Sequence, residues 1–498
     1  MEFTYYFSLF LLFLLSCFVF VLIFSKTKQN LPPGPRKLPI IGHLHHLAGT
    51  APPHHTLRHL ADKHGPLMHL QLGECGYVIA SSTEIATHFF KTHDALFASR
   101  PSILASEIGA YNNTDISFAP YGKFWRQLRR ICSVELLSAK RVKSFQPVRE
   151  EEATELCKWI AQREGSAINL GEKVQQMNYH IMGRAVLGKK TGEQAAFIAL
   201  VKEGLDLMSG LDIVDLYPSY RILRLFSRLK RRIEKHHHAM DRIAHNIIED
   251  RKRSDNGEHR DHDLLDVLLG LQDDKSLEIP LTTDNIKAVL GDLFGAGVET
   301  SSTTVEWAMA EMLKHPKVLK KAQDEVRMVF DAKNGVVDEC YFDELKYLKL
   351  IVKESLRLHP PGPLLLPRVS SERCEINGYE IPAKTRLLVN VYAIARDPKC
   401  WEDGESFKPE RFLEKSVDFM GSSIELIPFG AGRRICPGIT FGVATVEIAL
   451  AMLLYYFDWV LPEGMKAEDL DMTDWPGIAA RKKDNLWAVP LVRRTLPA

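Results

Sequence analysis

The first hydrophobic segment of the chain is an uncharged run from Phe3 to Phe24. At about 1.5 Å of rise per residue, a helix over this run would extend roughly 33 Å, enough to cross the hydrocarbon core of a membrane. Lys26 and Lys28 follow the run, so the positive-inside tendency predicts that everything after it faces the cytosol. A cleaved signal peptide is the alternative, but no Lys or Arg precedes the run and no small-residue cleavage site follows it. We therefore predict an uncleaved transmembrane anchor at residues 3–24 and a proline-rich strap at residues 25–36.

The rest of the chain, residues 37–498, is dominated by apolar residues at helical spacing. Strand signals are few and lie far apart: Met68, Leu70 and Leu72 in alternation, then Tyr77–Ala80, Cys374–Ile376 before the Asn377-Gly378 turn, and Leu387–Val391. A polar stretch at residues 254–262 predicts an exposed loop. Because a sheet built from such distant segments does not divide into separate units, we predict a mainly α fold with a small β portion, in one large domain.

One helix of the pattern is unusually long. Thr282, Thr283 and Asp284 give a start signal, and apolar residues then recur at helical spacing until Pro316. This pattern predicts a helix that runs through the core. Two glycines in its middle, Gly295 and Gly297, suggest a local opening of the helix or the close approach of a flat cofactor.

Composition excludes some functions. Lys and Arg total 64 against 63 for Asp and Glu, which gives no support for nucleic-acid binding. The eight cysteines are scattered, with no C-x-x-C pair and no zinc-like spacing, so neither a disulfide scaffold nor a zinc finger is indicated.

One of these cysteines, Cys436, has a distinctive setting. It lies in a glycine-rich loop, Phe429–Gly438, directly before an apolar helical run, Thr440–Tyr455. Glycines allow backbone amides to approach the sulfur, and a helix start favours negative charge. Arg433 and Arg434 add positive charge nearby, which favours a thiolate over a thiol. The loop therefore suits a thiolate ligand.

This loop resembles the haem-binding signature F-x-x-G-x-R-x-C-x-G of the cytochrome P-450 family, and it agrees at all five fixed positions. The resemblance covers essentially the whole chain and is closest to plant microsomal members that oxidise terpenoids. It implies the cytochrome P-450 fold, haem b as the cofactor, and Cys436 as the ligand of the haem iron. Phe429, Gly432 and Gly438 would then frame the cofactor.

Three further motifs of this chain also resemble motifs of that family, and they occur in the same order along the chain. Glu354-x-x-Arg357 resembles its E-x-x-R element and Pro409-Glu410-Arg411-Phe412 its P-E-R-F element, which implies a buried structural triad of Glu354, Arg357 and Arg411. Four side chains resemble the partners of the haem propionates, namely Trp125, Arg129, Arg368 and Arg434. The arginine fork suits a carboxylate because it can donate two hydrogen bonds.

Glu299 and Thr300, in the long helix, resemble the acid–alcohol pair of the family. Cleavage of dioxygen needs protons in a site that otherwise excludes water, and a carboxylate with a hydroxyl could relay them. The alternative is a threonine that bonds to its own helix beside a solvated glutamate. The cysteine loop favours the functional interpretation, with both residues catalytic.

Substrate contacts are expected in four segments, 103–116, 292–296, 362–366 and 476–479. The candidates within them are Ile103, Ile116, Asp292, Leu293, Ala296, Leu364, Leu365 and Ile478. Most are apolar, which fits a hydrophobic small molecule gripped by shape. The resemblance implies hydroxylation of a terpenoid with one oxygen atom of O2. An alkaloid or a flavonoid or phenylpropanoid substrate is the alternative.

The chain contains no convincing nucleotide-binding fingerprint, so electrons must come from a partner. The resemblance implies an NADPH-dependent cytochrome P-450 reductase at the endoplasmic reticulum membrane. Five basic residues could form its docking patch: Arg126, Arg130, Lys140, Arg141 and Lys143. Two rival functions are a haem-thiolate isomerase or dehydratase, which would need no dioxygen, and a non-catalytic membrane haem protein. Both leave the Glu299–Thr300 pair unexplained.

Overall fold

The computed structural model describes residues 6–7, 10–16, 30–188, 194–208, 212–254 and 263–496. Within the predicted anchor, residues 6–7 and 10–16 are helical with exposed side chains, and the other anchor residues lie outside the described ones. Residues 25–29 of the strap and 255–262 of the polar loop also lie outside them. The anchor therefore stays a prediction.

The described chain is mainly helical, as predicted. Its helices are α1 Leu44–Leu47, α2 Pro53–His64, α3 Thr83–Thr87, α4 Leu104–Gly109, α5 Lys123–Ile131, α6 Ala139–Ser144, α7 Gln146–Ala161, α8 Leu170–Leu187, α9 Gln194–Met208, α10 Ile213–Leu216, α11 Leu223–Phe226, α12 Arg228–Ser254, α13 Leu264–Gln272, α14 Thr283–Lys314, α15 Pro316–Asp331, α16 Lys346–Leu358, α17 Val391–Ile394, α18 Arg411–Glu414 and α19 Ile439–Tyr456. Short π-helical turns lie at His88–Thr92 and Cys132–Leu136, and short 3-10 turns at Glu339–Glu344, Gly432–Arg434 and Ala467–Asp469.

The long central helix α14 begins where the sequence predicts. The Thr282 side chain accepts a hydrogen bond from the Asn285 amide, and the Asn285 side chain bonds back to the Thr282 amide. The helix is continuous over 32 residues and packs against α8, α16 and α19. The predicted opening at its glycines is not present. A Cβ on Gly297 would lie 3.1 Å from the Met182 side chain, so this glycine makes room for the neighbouring helix α8.

The β portion is small and joins distant segments, also as predicted. Its strands are β1 Leu67–Leu72, β2 Cys75–Ala80, β3 Ile168–Asn169, β4 Arg368–Val369, β5 Cys374–Ile376, β6 Tyr379–Ile381, β7 Arg386–Val389, β8 Phe457–Val460 and β9 Trp487–Val492. They form a four-stranded sheet in the order β1-β2-β7-β4, a three-stranded sheet β3-β9-β8, and the β5–β6 hairpin. Strand β7 ends at Val389, earlier than predicted, because the Asn390 side chain caps α17.

Helix α19, which follows Cys436, is the one helix among the described residues that is long and apolar enough to span a membrane. However, 72% of its hydrophobic window is buried inside the protein. It packs against α7, α14 and α15, so its apolar sequence reflects a position in the core.

The three residues of the predicted structural triad, Glu354, Arg357 and Arg411, lie in contact with one another. Arg357 donates two hydrogen bonds to the Glu354 carboxylate, at 2.7 and 2.9 Å, and the Arg411 Nε donates to the same carboxylate at 2.9 Å. Glu354 and Arg357 are fully buried. Arg357 also donates to the carbonyls of Ala395 and Gly404, so the triad fixes the chain after α17 onto α16.

Candidate active site

A large cavity of about 480 Å³ opens beside the middle of α14. The predicted site residues Cys436, Glu299, Thr300, Trp125, Arg129, Arg368 and Arg434 all lie on its wall, with Phe429 and Gly438. Most of the other lining residues are apolar. The cavity thus brings two thiols, those of Cys132 and Cys436, together with several guanidinium groups and an acid–alcohol pair to an otherwise hydrophobic space.

The Cys436 loop positions the sulfur through its backbone. The Cys436 amide donates to the Phe429 carbonyl at 3.0 Å, and the Gly438 amide donates to Cys436 Sγ at 3.3 Å. Burial raises the pKa of the Cys436 thiol, whereas the Gly438 amide and the charge of Arg129 lower it. Burial is the largest of these effects and the net pKa of Cys436 is raised, so a cation bound in the cavity would be needed to favour the thiolate.

The sequence predicts that Arg433 and Arg434 supply the positive charge near the Cys436 sulfur, and the structure corrects this prediction. Arg433 forms an ion pair with Asp94 at 3.0 Å, and the Arg434 guanidinium donates to the carbonyls of Ala98, Ile116 and Ala119. Arg129, two residues before the end of α5, is the cation that acts on the sulfur. Proximity along the chain was a poor guide to proximity in space.

Asp94 is a buried residue of the site that the sequence argument missed. It bridges two arginines, with Arg368 at 2.9 Å and Arg433 at 3.0 Å, and also accepts the Arg433 amide at 2.9 Å. Gly432 has a φ of +69°, and a Cβ there would lie 2.4 Å from Asp94 Oδ1. Asp94 therefore explains the need for glycine at 432. No local motif marks it, because its partners lie more than 270 residues away.

The arginines of the cavity differ in their partners. Arg434 stacks on the Trp125 ring at 4.1 Å, and Trp125 Nε1 donates to the Ile116 carbonyl at 3.1 Å. Arg100, also missed from the sequence, lines the same wall and donates to the Ser117, Leu366 and Pro367 carbonyls. Within the described residues, Arg129 has no hydrogen-bond or ion-pair partner. Its guanidinium is thus available to an anionic ligand in the cavity.

Glu299 and Thr300 lie on the wall, but they do not contact each other's side chains in the described structure. Thr300 Oγ1 donates to the Ala296 carbonyl at 2.7 Å, the local bond considered as the alternative. Glu299 is buried, not solvated: it accepts from Gln175 Nε2 at 2.8 Å and lies 3.8 Å from the Arg481 guanidinium. Arg481 also lies 3.5 Å from Asp206, so the carboxylate is linked towards the surface.

Asp292 does not offer a free carboxylate to a substrate, although it lies on the wall. Its oxygens accept from the Ile116 amide at 2.8 Å and from the Ser117 amide and hydroxyl, at 3.2 and 2.7 Å. Burial raises the pKa of Asp292 to about 6, and burial together with the nearby Asp292 raises that of Asp115. Asp292 thus fastens the loop after α4 to the central helix.

The other substrate candidates fall into two groups. The cavity wall includes Ile116, Leu293, Ala296, Leu365 and Ile478. Ile103 and Leu364 do not lie on it. Ile103 packs against a small apolar cluster that includes Leu104, and Leu364 packs against the apolar cluster of strands β1 and β2. Both side chains therefore contact the core and not the cavity. Wall residues from α9 and α12, such as Leu207 and Met240, were not foreseen, because their sequences show only ordinary helical spacing.

Comparison with known proteins gives consistent matches. A model of the family described as cytochrome P450 matches residues 32–489. Salviol synthase of Salvia pomifera is 53% identical over 97% of both chains, and premnaspirodiene oxygenase of Hyoscyamus muticus is 48% identical over 97% of this chain and 98% of its own. A solved zebra fish cytochrome P450 with abiraterone has a TM-score of 0.76 at 25% identity, covering 89% of this chain and all of that one.

Proposed function

The chain belongs to the cytochrome P450 family and is a haem-dependent monooxygenase, and on this premise we propose that it hydroxylates a terpenoid with electrons from an NADPH-dependent reductase. Its similarity to plant terpenoid oxidases supports the substrate class. The observation that carries the proposal is the Cys436 sulfur, which lies on the cavity wall under the Gly438 amide.

The residues present fit a haem. Cys436 would bind the iron as a thiolate, and the unpartnered guanidinium of Arg129 would bind a propionate. Arg368, Arg434, Trp125 and Arg100 would complete the anion-binding wall, together with their existing bonds to backbone carbonyls. The bound haem iron supplies the activation of dioxygen, and the protein sets its ligand, dryness and access.

The chain's own contribution is proton supply and substrate orientation. Glu299, held by Gln175 and Arg481, would take protons from the surface side of the cavity, where Asp206 is exposed, with the Arg481 guanidinium orienting the carboxylate and carrying no proton itself. Thr300 would pass them into the cavity by turning its hydroxyl away from the Ala296 carbonyl. This route would keep water at one edge of the hydrophobic cavity. Side reactions of activated oxygen with water would then be reduced.

The apolar wall fits a hydrocarbon skeleton held by shape. Ile116, Leu293, Ala296, Leu365 and Ile478 would contact it, and Ala296 exposes its methyl group to the cavity. Asp292 would act indirectly, because its bonds to Ile116 and Ser117 hold the wall formed by that loop. Product specificity would then depend on the shape of this loop.

Electrons would arrive at the basic surface beside α5. Arg126, Arg130, Lys140 and Lys143 are exposed, and an anionic flavoprotein surface would complement them. We place the protein in the endoplasmic reticulum membrane through the predicted anchor at residues 3–24, with the catalytic part in the cytosol.

The experiment is a product screen of microsomes that contain the full chain and a reductase, with terpene, alkaloid and phenylpropanoid scaffolds. We expect a terpene product enlarged by one oxygen atom that needs both NADPH and dioxygen. Cys436→Ala should abolish the product and the sulfur-shifted absorbance band of the reduced carbon monoxide complex. Cys340→Ala is the matched control, because Cys340 is exposed.

Each rival predicts a different result. Product formed without NADPH would favour the isomerase or dehydratase, and binding without NADPH consumption would favour the silent haem protein. Turnover of only an alkaloid or a phenylpropanoid would overturn the substrate class. For the docking surface, Arg126→Glu with Arg130→Glu should weaken turnover at low salt, whereas Lys252→Glu with Arg253→Glu, an equal charge change on α12, should not.

A further inference from the structure

A second cluster of ligand-type side chains lies outside the cavity. His54 and His55, in the first turn of α2, face Asp474, which lies more than 400 residues later. His54 Nε2 lies 2.6 Å from Asp474 Oδ2, and His55 Nε2 lies 3.4 Å from Asp474 Oδ1. One nitrogen of each histidine and one carboxylate oxygen lie within 4.8 Å of one another. Two imidazoles therefore converge on one carboxylate.

The three side chains of the cluster differ in burial: His54 is buried, whereas His55 and Asp474 are partly exposed. His55 Nε2 is buried and has no hydrogen-bond partner among the described residues. His55 Nε2 lies 3.4 Å from Asp474 Oδ1 without a hydrogen bond, and because buried polar atoms are rarely left without a partner, a cation between the two atoms would satisfy both.

The surroundings provide access and a partly balanced charge. The His55 side chain is 40% exposed, so a small ion can reach the cluster from solvent. Arg58 and Arg396 both lie over the Tyr392 ring, and both form ion pairs with Glu405, at 2.6 and 3.0 Å. His55 stacks on Tyr392 at 4.4 Å, which holds its ring in place.

We propose that His54, His55 and Asp474 form a binding site for a divalent transition metal, with zinc as the best fit. Two imidazoles, one carboxylate and one water are a common set for zinc, and hard ions such as magnesium prefer oxygen ligands. Bonds of about 2.0–2.2 Å place tetrahedral ligands about 3.3–3.5 Å apart. The His55–Asp474 distance of 3.4 Å already meets this condition.

The His54–Asp474 contact must lengthen when the metal binds. It is a hydrogen bond at 2.6 Å, so the metal would take the place of the proton between the two atoms, and the neutral His54 ring would then carry its proton on Nδ1. The required movement is under about 1 Å, which side-chain rotation can supply. The site is independent of the haem chemistry and goes beyond the proposed function.

The metal would connect two distant parts of the enzyme. Asp474 lies four residues before Ile478, which lines the cavity, and α2 lies near the start of the catalytic part. Bound zinc would therefore tether the substrate-contacting segment to α2. We expect a higher unfolding temperature and a slower exchange of substrate when the site is filled.

The test uses the full-length, haem-loaded protein in detergent micelles, purified without a polyhistidine tag and stripped with a chelator. Zinc chloride is titrated against a chromophoric zinc chelator, because 19 histidines and eight cysteines could bind zinc weakly elsewhere. We expect one competing site, and His55→Ala should weaken it at least tenfold. His59→Ala is the matched control, since His59 lies exposed on the same helix.

Two further measurements keep the result decisive. The carbon monoxide spectrum of each variant checks that the haem pocket is intact. Zinc should raise the unfolding temperature of the wild type and of His59→Ala, but not of His55→Ala or His54→Ala. Equal zinc affinity in the wild type and His55→Ala would overturn the proposal, as would a wild-type protein that fails to compete for zinc at all.

Discussion

Asp94 offers the sharpest test of how the cysteine loop is held. The substitution Asp94→Asn keeps the shape of the side chain and removes its charge. Arg368 is 5% exposed and would lose its only carboxylate partner within the described residues, whereas Arg433 is 47% exposed. Breaking a buried ion pair typically costs about 3–5 kcal/mol, and an exposed pair contributes about 0–1 kcal/mol.

We therefore expect Asp94→Asn to lower the free energy of unfolding by about 3 kcal/mol, nearly all of it through Arg368. That change in free energy raises the equilibrium constant for unfolding by about two orders of magnitude. The assay is urea unfolding of the full chain in detergent micelles, followed by tryptophan fluorescence and by haem absorbance. Because Asp94 also accepts the Arg433 amide beside Gly432, haem absorbance should be lost at a lower urea concentration than the fold.

Arg433→Gln is the control, because it removes only the exposed partner of Asp94. It should change the free energy of unfolding by less than about 1 kcal/mol. If Asp94→Asn changes it by no more than Arg433→Gln does, the buried ion pair is not what fixes the loop. If both lose haem equally without loss of stability, the loop depends on its own backbone bonds alone.

Three other predictions follow from the same contacts. Arg129→Met should loosen haem binding, seen as faster transfer of haem to apomyoglobin, with little change in the unfolding of the haem-free chain, since Arg129 has no protein partner in the described structure. Arg481→Met should release Glu299 and lower the ratio of product to NADPH consumed, with more hydrogen peroxide, whereas the same change at the exposed Lys483 should not. Although burial opposes it, two histidine partners lower the pKa of Glu311 to about 2 from an ordinary 4.5. Its stabilisation, roughly 3 kcal/mol, is complete above about pH 4.5 and is lost as the pH falls towards 2, so urea midpoints of the wild type and Glu311→Gln should converge at low pH.

Local features of the fold could be predicted from the sequence. The cap at Thr282, the β5–β6 hairpin and the start of α19 after Cys436 each depend on residues within a few positions of one another. Asp94 and Arg100 could not be predicted, because their partners come from distant segments and periodicity carries no information about such contacts. Which side of a segment faces the cavity could not be predicted from its position in the chain either, and Ile103 packs against a separate apolar cluster.

The site is held by buried charges more than by hydrophobic contact, and this explains where prediction failed. Apolar packing is non-directional, so it can bring a loop to a helix but cannot fix its orientation. Asp94 and Asp292 each accept two or more hydrogen bonds from other segments and so fix a loop at the cavity, and Glu354 holds the chain after α17 in the same way through the Lys408 amide and Arg411. Glu299 differs, because one of the two partners it has among the described residues is a 3.8 Å contact, so it is the least firmly held of these carboxylates. A rigid frame around a less firmly held acid fits the proton delivery proposed for Glu299.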